Sequence, residues 1–72
     1  MKLRSIELKR RAKEVGVSEE QLTQAVARGE MSDKAANSAV RNWMAGRDHP
    51  RCRKADIEAL ASAVGCLPKD IS

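Results

Sequence analysis

Aromatic residues are almost missing from this chain: Trp43 stands alone in 72 positions, with no Phe and no Tyr. Readers of RNA and single strands usually stack bases on several exposed rings, so that class is disfavoured. Alternating runs of β-branched and aromatic residues are also absent, which argues against a β fold. No stretch comes near the roughly 18 consecutive apolar residues needed to cross a membrane. The opening Met1-Lys-Leu-Arg4 lacks the long apolar run of a secretory signal.

The two cysteines, Cys52 and Cys66, form no framework of spacings, so reduced thiols in a cytoplasmic protein are expected rather than a disulfide scaffold. With His49 they would offer three soft ligands, but no Cys-x-x-Cys and no paired histidines, so no zinc site is expected. A Cys/His nucleophile would also need an orienting third group and an oxyanion hole, and neither is suggested. No enzymatic activity and no cofactor are expected.

What the chain does have is small apolar residues and segregated charge. It holds 11 Ala, 13 larger aliphatics and three Met, a composition suited to closely approaching helices in one small domain. Residues 1–16 carry six Lys/Arg against two Glu, and residues 34–54 carry six against one Asp. Residues 17–33 and 55–72 are net acidic. Basic charge gathered in two blocks suggests a surface that faces an anion.

Helical periodicity and stop signals predict an all-α domain of four to five helices. Leu8, Ala12 and Val15 at i, i+4, i+7 predict a first helix over 4–15, ended by Gly16. Ser18-Glu-Glu-Gln21 reads as a capping box, with Val17 and Leu22 as a hydrophobic staple, and opens a second helix over 18–28. Ser32 or Asp33 caps a third over 33–45 that turns Ala36, Val40, Trp43 and Met44 inward and stops at Gly46. Ile57, Leu60, Ala61 and Val64 predict a fourth over 54–64 ended by Gly65, and Pro68 starts a last short turn over 68–71.

The third helix is the most informative element. Its outward set, Lys34, Asn37, Ser38, Arg41 and Asn42, contains no acid, whereas solvated helix faces usually mix both charges. Arg and Lys can read guanine acceptors, Asn can pair bidentately with adenine, and Ser is permissive. Directly after it comes a basic loop with Arg47, His49, Arg51, Arg53 and Lys54, charges that would fix register on phosphates without reading sequence. Free amides at the start of the fourth helix would add to anion binding. Lys9, Arg10, Arg11 and Lys13 cover more than one face of the first helix and read as general electrostatic attraction. Trp43 has Ala36, Ala39, Val40 and Met44 at helical spacing, which makes it a core anchor rather than a stacking platform.

The pattern Gly16-Val-Ser18, the Leu22 helix, Ser38-x-Val-x-x-Trp-x-x-Gly46-x-x-x-Pro50, Ile57-x-x-Leu60-Ala-x-x-Val64-Gly65 and Pro68-x-x-Ile71 resembles the lambda-repressor/Cro-like helix-turn-helix family. The likeness runs from about residue 8 onward and is most specific between Val40 and Gly65. It implies a five-helix domain acting as a cytoplasmic, nucleoid-associated transcriptional regulator of repressor type. Such a domain binds double-stranded operator DNA, usually as a homodimer on a palindrome, with the third helix in the major groove.

Base contacts then map onto Lys34, Asn37, Ser38 and Arg41. Backbone contacts map onto Ser18, Gln21, Asn42, Arg47, Arg51, Arg53 and Lys54. Three departures stand out. An elongated turn of seven residues, 28–34, separates the second and third helices, and two further residues follow Pro50. Arg11 takes a place that the family often gives to an apolar side chain; Arg11 is expected to face solvent while Ala12 packs. The competing reading is a helical protein-interaction module that has such a fold without DNA binding, suggested by the long turn and by Glu30 and Asp33.

Overall fold

A computed structural model describes residues 3–27, 32–47 and 51–72. Among these residues the chain forms α1 (Ser5–Val15), α2 (Glu19–Ala27), α3 (Asp33–Met44), α4 (Lys54–Val64) and a 3-10 turn, Pro68–Asp70, with no strand. Arg28 and the loop residues His49 and Pro50 lie outside the described residues.

Local chemistry accounts for most boundaries. The Gln21 amide donates to the Ser18 hydroxyl at 3.2 Å, and the Ser18 amide donates to Gln21 Oε1 at 2.8 Å. That reciprocal box satisfies two of the orphan amides at the start of α2. Ser32, rather than Asp33, caps α3 by accepting from the Ala35 amide at 3.3 Å. α3 thus begins at Asp33, where its predicted range begins, and Asp33 and Lys34 form its first turn. Gly46 (φ 81°) carries the chain out of α3, with the Arg47 amide donating back to the Asn42 carbonyl at 2.8 Å. Only a residue without a Cβ adopts that left-handed conformation without strain.

α4 starts at Lys54 as predicted, but the helix start expected to offer free amides to an anion already holds a carboxylate. The Asp56 carboxylate accepts from the Arg53 amide at 2.9 Å and from Arg53 Nε at 3.3 Å, and it is the one buried charged side chain among the described residues. Its charge also complements the positive end of the helix dipole.

The core lies where α2 packs on α3 and α4 while α1 closes over α3 and α4. Trp43 is its largest side chain, surrounded by fully buried Leu8, Leu22, Val40, Ile57, Leu60 and Ile71. Ala36 and Ala39, both at 0 % exposure, place no bulk on the inner face of α3 and so permit a close helix approach. Cys52, considered above as a metal ligand, is instead a buried member of this core.

Two expectations for α1 need correction. Val15 is 56 % exposed although it shares the azimuth of Leu8, because it ends the helix where packing partners run out; Val17, beyond the turn, packs on the core in its place. Arg11 is only half exposed, with its Nε shielded from water, while Ala12 is buried as expected. No helix among the described residues is long and apolar enough to cross a membrane.

Candidate nucleic-acid interface

α3 is polarised by its own sequence. Ala36, Ala39, Val40 and Trp43 are buried, while Lys34, Asn37, Ser38 and Arg41 are all exposed. The exposed four fall at i, i+3, i+4 and i+7, so they make one continuous stripe along the helix. Because α3 starts at Asp33, the stripe occupies its first three turns. Asn42 sits at the edge of the stripe and is half-buried.

The flanking cations all follow α3 along the chain. Arg47 follows the Gly46 turn directly, and Arg51, Arg53 and Lys54 lead into α4; all four are exposed. Arg47, Arg51 and Lys54 pair with no carboxylate among the described residues. Arg53 is different, since its Nε edge is engaged by Asp56. Its side chain thus serves the start of α4, and its role as a phosphate clamp is correspondingly restricted.

On α2 the expected backbone contacts separate. Ser18 is exposed at the helix start. Gln21, also exposed, borders a shallow groove between α2 and α4 with Val17, Ala25, Ala59 and Ala63. Glu19 stands on another flank of α2, two residues earlier, and there it approaches α3. Its Oε1 lies 3.9 Å from Arg41 Nε. Sequence reasoning missed this acid, because a first-turn glutamate reads simply as a complement to the helix dipole.

The basic cluster on α1 is partly neutralised. Glu7 pairs with Arg10 at 2.8 Å and with Arg11 at 3.7 Å, leaving Lys9 and Lys13 as the exposed cations of the cluster without an ion pair among the described residues. α1 nevertheless touches the end of α3: a Cβ added at Gly46 would lie 3.8 Å from Ser5 Oγ.

Cys66, half-buried beside the 3-10 turn, has its thiol titration pushed up. Burial is the main cause; Arg11 opposes it, and the carboxylates of Asp70 and Glu7 add to it. A thiol kept protonated is a poor nucleophile and a poor metal ligand. No group of three or more His, Cys, Asp or Glu suited to a metal ion occurs among the described residues. The arrangement offers instead a stripe of four polar or basic side chains on the outer face of α3, with further exposed cations in the segment that follows it. The chain matches no protein-family model, no curated protein and no solved structure.

Proposed function

We propose that this protein is a sequence-specific double-stranded DNA-binding transcriptional regulator of the lambda-repressor-like type. α3 enters the major groove. Lys34, Asn37, Ser38 and Arg41 meet base edges, and Arg47, Arg51 and Lys54 hold phosphates, with Ser18 and Asn42 beside them. The observation that carries this reading is the α3 stripe itself, four exposed base-competent side chains backed by the buried Ala36, Val40 and Trp43. A major groove about 12 Å wide accepts a helix presented in that way. Phosphates neutralised by Arg47, Arg51 and Lys54 would give a log–log salt slope of about −2.7.

Selection from a randomised duplex library, followed by sequencing, tests the reading directly. The wild-type chain should enrich one motif. Arg41→Ala should flatten the preference at one position, with a loss of about 1–3 kcal/mol of discrimination. Arg51→Ala should weaken every duplex alike. Absence of any enriched motif, together with elution from a DNA column at low salt, refutes the proposal.

The α2–α4 groove supports a second reading, a helical protein-interaction module. Its walls mix small apolar side chains, Val17, Ala25, Ala59 and Ala63, with the polar Gln21, Gln24 and Ser62. It is favoured if the column and library experiments both fail while the protein remains folded.

A further inference from the structure

The approach of Glu19 to Arg41 is the one cross-helix ion pair among the described residues. Both side chains are well exposed, Arg41 at 74 % and Glu19 at 46 %. An exposed pair of this kind adds little to stability, since water screens it and two long side chains lose freedom. The separation of 3.9 Å is also too long for a hydrogen bond. The helix dipole accounts for an acid in the first turn of α2, as it does for Asp33 in that of α3, but not for the approach of this one to Arg41.

Its geometry does suggest a role. The carboxylate comes closest at Nε, which belongs to the side edge of the guanidinium. The outer edge, formed by the two terminal amines, is the fork that pairs bidentately with guanine O6 and N7. A carboxylate attracting the Nε side draws that edge of the guanidinium toward α2 and orients its fork away from α2. It also repels phosphate, and so discourages Arg41 from swinging onto the DNA backbone, where it would contribute affinity without information.

We infer that Glu19 is the positioning residue for Arg41: it holds the guanidinium for a guanine edge and away from phosphate, exchanging non-specific affinity for discrimination. This inference rests on the DNA-binding reading above. It makes the base facing Arg41 a guanine. It also makes the first turn of α2 part of the specificity apparatus, although Glu19 itself touches no base.

The test compares wild type, Glu19→Gln, Glu19→Asp and Arg41→Ala, and Glu19→Gln combined with Arg41→Ala, on the selected duplex, on its guanine-substituted variant and on random duplex. Far-UV circular dichroism checks that each variant is folded. Glu19→Gln should bind random duplex more tightly, with a salt slope steeper by about 0.9 as Arg41 gains a phosphate. Its discrimination at the guanine should fall by about two- to fivefold, the range that an exposed pair can supply. Glu19→Asp keeps the charge but is shorter by one methylene, so it should lose discrimination like Glu19→Gln. In the Arg41→Ala background, Glu19→Gln should leave discrimination unchanged. Wild-type discrimination in Glu19→Asp, or an equal gain on every duplex in Glu19→Gln, overturns the positioning role while leaving the DNA-binding reading intact. A wild-type protein that enriches no duplex overturns both.

Discussion

Trp43 bears directly on the link between core and interface, because it stands behind the stripe that would read bases. It is 2 % exposed and the largest side chain in the core. Replacing it with alanine removes the indole from the meeting point of the helices and leaves a cavity that the short elements around it cannot fill. Large-to-small changes of this type cost about 3–5 kcal/mol. A chain of 72 residues has a total stability of only about 4–11 kcal/mol at typical values per residue. Trp43→Ala should therefore lower Tm by about 12–40 °C and leave a substantial unfolded population at physiological temperature. Urea titration followed by far-UV circular dichroism measures the loss without needing the indole as a probe. Trp43→Phe, which keeps a ring in the site, should cost clearly less. A Trp43→Ala loss below about 1 kcal/mol would refute the claim that this residue anchors the back of α3. It would also remove the argument that the stripe is rigidly presented.

Other perturbations probe single interactions. Asp56→Ala leaves the Arg53 amide without its acceptor and removes a charge from the first turn of α4; the expected loss is about 1–3 kcal/mol by chemical denaturation. Arg11→Met keeps the packed stem and removes an Nε that is shielded from water without a hydrogen bond, while Arg10 still pairs with Glu7. It should be neutral or stabilising by up to about 1 kcal/mol, and a clear destabilisation would show that the Arg11–Glu7 contact matters to the fold. For Cys66 the sign follows from a titration raised in the folded state above the usual thiol value of 9.0. The unfolded thiol loses its proton first, so stability is fully present below pH 9.0 and declines as pH rises through the folded titration. Cys66→Ser should remove that alkaline decline, and peptide-resolved alkylation should place the Cys66 midpoint above that of a free thiol.

The parts of this fold legible in the sequence are those set within one turn of chain. Ser18 and Gln21 are three residues apart, and their cap needs no knowledge of the tertiary structure. The inward positions Ala36, Val40 and Trp43 follow from the helical period alone. Periodicity gives azimuth and not depth, however, which is why Val15 faces the correct way yet remains exposed. Cys52 sits in an irregular segment without a period, so nothing local marked it as core. Asp56 was hidden for a similar reason, since Arg53-x-x-Asp56 lacks the Ser or Thr that signals a capping box. For the candidate interface, the stripe was readable as composition on one helix. The flank of α2 that faces α3 was not, because the pairing of Glu19 with Arg41 depends on how two helices dock. The same docking turns Gln21 toward the α2–α4 groove.

The Arg4 amide donates to the Ile71 carbonyl at 2.7 Å, and the Ile71 side chain is fully buried. This contact joins two segments from far ends of the sequence, so its closure carries a large loop-entropy cost. It should form late in folding, after the helix pairs that lie closer along the chain. In the native state it works as a latch. Opening the final turn would uncover Ile71 and free the segment leading into α1, whose Ser5 lies against Gly46 at the end of α3. Slow exchange of the Arg4 amide would thus report the integrity of the C-terminal turn, and its loss would mark the first cooperative unit of this domain to come undone.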